Sequence, residues 1–152
     1  MATEVVNRQR RIHIDRERIA QVADQALEAV GRSGAAITVA FVRDAAIRRL
    51  NRDYRGKDLA TDVLSFPWDG EMHSGAAPDS GRLEAGEGGY LGDVVISADM
   101  AISQAQASRY SFEREVSELV IHGILHLCGY DHETDRGEMN RLELKLRRRL
   151  LE

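Results

Sequence analysis

Three of the chain's five histidines, His122, His126 and His132, fall in the single stretch HGILHLCGYDH. His122 and His126 are four apart, so on a helix they stand one turn above each other on the same face. Two imidazoles at that spacing can grip one metal ion. Gly129 follows, where a glycine ends a helix in a left-handed turn and swings the chain back. His132 is then placed to give a third ligand. A histidine alone on an apolar helix is more often a core residue with a hydrogen-bond partner. Three at ligand spacing, with a turning glycine between them, read as a metal centre with a fourth position open, as in catalytic zinc sites. Three neutral imidazoles suit Zn2+ best, although nickel, copper and iron also accept them. The expectation is one divalent ion per chain, zinc first. With no carboxylate among its ligands, such an ion keeps nearly its full charge, lowers the pKa of bound water and attracts anionic oxygen. A phosphodiester is a natural substrate for it.

The pattern H-x-x-x-H-x-x-G-x-x-H matches the metzincin proteases at every position but one. In those enzymes the residue after the first histidine is the glutamate that takes a proton from water. Here it is Gly123, so peptide hydrolysis lacks a central part. Asp131 and Glu133 flank the third histidine, and Asp131 is the candidate base. It is equally suited to orienting a ligand imidazole or to making the turn. His13 and His73 have no such company and read as structural or surface residues. Cys128 lies off the histidine face and reads as packed rather than ligating.

The elements that must position these residues follow from the hydrophobic periods. RIHI (11–14) alternates as a first strand would, and Asp15 can cap a helix whose stripe is Ile19, Val22, Ala23, Ala26, Leu27 and Val30, stopped by Gly31. AAITVAFV (35–42) is a buried strand. Asp44 is expected to cap a short helix with Ala46, Ile47, Leu50 and Tyr54 on one face. TDVLSFP (61–67) is a strand whose closing proline suits a sheet edge. Residues 68–90, rich in glycine, serine, alanine and acid, read as one long mobile loop. YLGDVVIS (90–97) is a further strand, and helices follow over 98–110 and 111–128, the second capped by Ser111. Asp135 and Glu138 have capping-box spacing for a last helix with Met139, Leu142, Leu146 and Leu150 as its stripe. The order β-α-β-α-β-loop-β-α-α-α, with no repeat, places helices and sheet around one core in a single domain over 1–152, an α+β or α/β layer fold.

The totals agree with a globular domain: 152 residues, 43% apolar and 30% charged. A net charge of −4 gives no global attraction to nucleic acid or to an anionic membrane, so any RNA contact must be a local basic patch. A single cysteine excludes an intrachain disulfide and favours a reducing compartment. No apolar stretch has the length of a membrane span or the pattern of a signal peptide. The expectation is a soluble cytoplasmic protein.

Three blocks carry a resemblance. HGILHLCGYDH, LNRDYRGKDLATDVLSFP (50–67) and LGDVVIS (91–97) resemble, in order, the fixed blocks of the YbeY family of metal-dependent endoribonucleases. The resemblance implies a small mixed four-stranded sheet packed with about five helices, among them a metzincin-like metal helix. It carries the family's metal ligands onto His122, His126 and His132 and its functional arginine onto Arg55. It implies action on single-stranded ribosomal RNA, maturation of the small-subunit 3′ end, ribosome quality control, and the small subunit or assembly factors as partners. A guanidinium at Arg55 suits that chemistry, because it is permanently charged and can grip a phosphate with two hydrogen bonds. Attack on phosphorus would come from water acidified by the metal or from the RNA's own 2′-hydroxyl. Arg48, Arg52 and Lys57 either extend the patch toward RNA or make an ordinary solvated helix face. The KLRRRL run of the last helix has the same two readings. Two other functions compete: a non-catalytic ribosome-assembly factor with a structural metal, and a metalloprotease.

Overall fold

The computed structural model describes residues 3–68, 89–131 and 133–152. Its elements are β1 (Thr3–Asn7), α1 (Arg16–Ala29), β2 (Ala36–Val42), α2 (Asp44–Arg55), β3 (Val63–Pro67), β4 (Tyr90–Ser97), α3 (Ala98–Ser108), α4 (Phe112–Leu127) and α5 (Glu138–Leu151). The four strands form one mixed sheet in the order β1-β2-β4-β3, with β1, β2 and β4 parallel and β3 antiparallel on the edge. The fold is α+β with five helices, as the sequence led one to expect. The long loop expected over 68–90 falls almost wholly outside the described residues. At its described ends, the Trp68 N–H donates to the Leu91 carbonyl at 2.9 Å and the rings of Trp68 and Tyr90 meet edge-on.

Strand β2 is buried along its whole length, which is why it reads as a continuous β-branched and apolar run. Its side chains alternate between two cores. Ile37, Val39 and Phe41 join Val94 and Ile96 under α1 and α4. Ala40 and Val42 join Val95, Leu64 and Ile47 of α2 on the other face. Helix α4 is the central support. From Glu115 to Leu127 every residue is buried except His122 and His126. Within that span the two histidines therefore occupy the least covered stripe of the helix.

Three local expectations are corrected. Residues 11–14 are not a strand; the first strand is Thr3–Asn7, in parallel register with Ile37–Phe41. The buried Gln9 amide explains the difference. It donates to the Ile12 carbonyl at 2.7 Å and accepts from the Ile12 N–H at 2.9 Å, serving the backbone groups that a neighbouring strand would otherwise pair. Asp44 does not cap α2. Arg43 holds the N-cap position without a side-chain bond, and Asp99 of α3 accepts the Asp44 N–H at 2.9 Å. At α5 the N-cap is Gly137, and Asp135 reaches forward to accept the N–H groups of Gly137 and Met139 at 2.8 and 2.9 Å. Asp15 and Ser111 cap α1 and α4 as their spacing predicts.

Asp99 is the main electrostatic joint between these helices. Its side chain is 10% exposed and is gripped by Arg43 at 2.8 Å and Arg11 at 2.7 Å. Burial works against its charge, but the hydrogen bonds from Arg43, the Asp44 N–H and Arg11 outweigh it and lower the carboxyl to about 2. The folded value lies below the unfolded value of about 3.9, so folding favours the ionised form. That stabilisation is complete above the unfolded pKa and is lost as pH falls from about 4 toward 2. Asp99→Asn is expected to cost about 2 kcal/mol at neutral pH and to flatten the stability curve in that acid window. Urea melts at pH 7 and pH 3 test this; an unchanged acid slope in the variant would count against it.

Candidate functional site

His122 and His126 converge. Their Nε2 atoms are 3.1 Å apart, with the rings at 73° and their centroids 4.7 Å apart. Two ring nitrogens approach this closely when at least one offers a lone pair, so the two Nε2 atoms converge on one point. Behind His122, its Nδ1 stands 2.8 Å from Oε1 of Glu143 on α5. A proton on Nδ1 is then held by the carboxylate, and the lone pair of Nε2 is left on the side that faces His126. Glu143 is 7% exposed. Burial raises its pKa, but its contacts with His122 and Arg147 prevail and leave it below its ordinary value. Its second oxygen pairs with Arg147, which also reaches Glu118 of α4 at 3.2 Å, and Glu118 pairs with Arg114 at 2.8 Å. This chain of ion pairs clamps α5 against α4 behind the histidines.

Both imidazoles open into a cleft of about 580 Å³ whose lining includes Arg55, Asp62, Tyr130, Asp131 and Glu133. Arg55 closes α2, where Gly56 takes a left-handed conformation. The buried amide of Asn51 donates to the Leu59 carbonyl at 2.9 Å and fixes the turn that follows. Arg55 is exposed and has no ion pair among the described residues. Gly129, also in the lining, has φ +95, as a turn directly after α4 requires. The turn brings Asp131 to the rim, where its Oδ1 accepts the Glu133 N–H at 3.0 Å. Asp131 thus serves the turn and also faces the cleft.

Of the three expected ligands, His132 lies outside the described residues, as does His73. No group of three potential ligands occurs among the described residues. Arg48 and Arg52 are not among the residues lining the cleft; they pair with Asp58 at 2.9 Å and Asp53 at 3.2 Å. Lys57 is exposed and also outside the lining. Cys128 is half-buried against the main core, and burial pushes its thiol up. Sequence reasoning missed Glu143. The available signal was its position four after Met139 and three before Leu146, which puts a carboxylate on the buried stripe of α5.

Gly123 has a structural reason. Its carbonyl accepts from Ser65 Oγ at 3.1 Å, and a Cβ there would sit 2.6 and 2.9 Å from the two γ-methyls of Val94. The position after the first histidine faces the sheet, against Val94 of β4 and Ser65 of β3. A protease glutamate has no room there.

An α+β domain whose central helix presents a convergent imidazole pair to an open cleft, with an exposed guanidinium among the lining residues, has the build of a hydrolase acting on an anionic substrate. The family model described as Endoribonuclease YbeY matches residues 4–151, and the chain belongs to that family. It is 39% identical over 143 residues to Endoribonuclease YbeY of Alkaliphilus metalliredigens, covering 90% of this chain and 87% of that protein. The protein of the same name from Geobacter sulfurreducens is 40% identical over 148 residues, with 97% and 92% covered. That from Aquifex aeolicus is 43% identical over 122 residues, with 79% and 71% covered. Among solved structures, the solution structure of TM1509 from Thermotoga maritima is similar, with a TM-score of 0.56 and 26% identity over 95% of this chain and 85% of that one. No helix among the described residues is long and apolar enough to cross a membrane.

Proposed function

We propose that this chain is a metal-dependent endoribonuclease that acts in the cytoplasm as one domain on single-stranded regions of ribosomal RNA, the small-subunit 3′ end among them, in maturation and ribosome quality control. The observation that carries the reading is the convergence of the His122 and His126 Nε2 atoms on a cleft that Arg55 also lines. His122, His126 and His132 would hold the ion, and zinc suits the imidazole donors. Bound there, a divalent cation would supply Lewis-acid charge and make a nucleophilic oxygen more acidic.

The chain's own residues do the rest. Arg55 grips a non-bridging phosphate oxygen and offsets the charge that grows on it as the bond to phosphorus forms. Glu143 keeps the proton of His122 on Nδ1. Asp131 is the carboxylate at the rim that can accept the nucleophile's proton; its Oδ2 has no partner among the described residues. Arg48, Arg52 and Lys57, exposed on and just after α2, would meet the RNA beyond the cleft. The small subunit and its assembly factors are the partners this role implies.

His122→Ala and Arg55→Ala are each expected to lower metal-dependent cleavage of single-stranded RNA by about a hundredfold or more. Initial rates on a labelled oligonucleotide, with metal content measured beside them, test both. Undiminished cleavage by either variant would show that another nuclease in the preparation does the work.

A further inference from the structure

Helix α5 has two unlike faces. The inner face holds Met139, Leu146 and the Glu143–Arg147 pair, so its one arginine is neutralised. The outer face carries Arg141, Lys145 and Arg148, all exposed and none with an acidic partner among the described residues. At spacings of four and three they form one stripe, each cation one turn from the next. The acids nearest in register are engaged elsewhere. Glu138 accepts the Arg136 N–H at 2.6 Å, and Glu152 pairs with Arg114 at 3.2 Å. Arg149 is left out, because it lines a different hollow beside Glu28.

Like charges one turn apart destabilise a helix by a few tenths of a kcal/mol per pair. The helix dipole accounts for cations only in the last turn, and so not for Arg141 or Lys145. In a chain of net charge −4, a stripe of three cations that pair with no acid among the described residues is a local feature whose mutual repulsion works against the helix. The stripe also has a definite origin. Arg141 Nη1 donates to the Arg136 carbonyl at 3.3 Å, anchoring that end to the turn that brings Asp131 and Glu133 to the cleft. From there it runs about 10 Å along the helix.

We infer that Arg141, Lys145 and Arg148 form a track for the phosphate backbone of the RNA, continuing the substrate path from the cleft rim along the outside of α5. This rests on the ribonuclease reading and extends its substrate site. Leu144 is the one large apolar side chain exposed on this face, at 47%. A single exposed leucine among cations lacks the clustered aromatic and apolar anchors of a protein interface, so charge complementarity favours phosphate.

The test is the salt dependence of binding to a cleavage-resistant single-stranded RNA, read by fluorescence anisotropy on zinc-loaded protein. Three phosphate contacts contribute about 2 to the slope of log affinity against log salt. The variant Arg141→Gln/Lys145→Gln/Arg148→Gln should lose about that much and bind about tenfold or more weakly at low salt. Arg10→Gln/Arg16→Gln/Arg32→Gln removes the same charge from exposed positions elsewhere and should keep the slope. An unchanged slope in the first variant, or an equal loss in the second, overturns the track. If the wild-type protein cleaves RNA and the first variant keeps its slope, the track alone fails. If the wild type neither binds nor cleaves RNA, the ribonuclease reading fails and the track falls with it.

Discussion

Gly123→Glu, which writes the protease glutamate into α4, is expected to give a chain that does not fold rather than a peptidase. The Cβ alone would stand 2.6 Å from Val94 Cγ1, and Val94 is fully buried in β4. Its methyls are short and branched, so they cannot swing aside as the end of a flexible side chain would. Overpacking of this kind costs about 1–3 kcal/mol. The remaining methylenes and the carboxylate must then displace Ser65 or part α4 from the sheet, and an unpaired buried charge adds several kcal/mol. The sum is comparable to the roughly 5–15 kcal/mol that holds a typical domain together. Gly123→Ala separates the two costs. Alanine returns about 1 kcal/mol of helix propensity against the overlap, so a fall in Tm of only a few degrees is expected. Thermal melts by circular dichroism decide the matter. A Gly123→Glu protein melting within a few degrees of the parent would mean that the helix can move away from β3 and β4, and the packing account of Gly123 would be lost.

Gly123 first draws attention as a missing base, a chemical feature. The fold makes it a contact residue, and the missing base becomes a consequence of how closely α4 lies on the sheet. The local pattern of HGILHLCGYDH was legible because helical spacing decides which residues share a face, and the open stripe of α4 holds the two histidines that spacing selects. The element order was legible for a similar reason: β2 and β4 are apolar runs of strand length, and α1 and α4 carry strong stripes with their own caps. What could not be read are groups that act across the fold. Asp99 caps α2 from α3, and the Gln9 amide replaces a strand partner for Ile12. Each is a tertiary contact made by a residue whose type suits many local roles. The alternation in RIHI was real, but Thr3–Asn7 had β2 beside it and residues 11–14 did not.

Glu143 is the clearest such case, and its removal should register in metal affinity before anything else. It lies 21 residues after His122, in a helix whose neighbouring positions are full of charge, so by itself it resembles one more surface acid. In the fold it is buried and holds His122 Nδ1 at 2.8 Å. With the carboxylate present, the tautomer with Nε2 free is the stable one and the ring is fixed in plane. Glu143→Gln keeps the size and one oxygen, but it removes the charge and weakens the link to Arg147. Loss of such a partner typically lowers metal affinity 10–100-fold. About tenfold is expected for glutamine, and more for Glu143→Ala, which also opens a cavity and leaves Arg147 with Glu118 as its remaining acid. Competition for zinc with a chromophoric chelator measures this without reference to catalysis. A urea melt of the metal-free proteins separates the effect on the site from the effect on the α4–α5 clamp. If glutamine binds zinc as tightly as the parent while the melt shifts, Glu143 serves only to join the helices and the orienting role is wrong. If the affinity falls while the metal-free stability holds, the carboxylate acts on the metal site through His122.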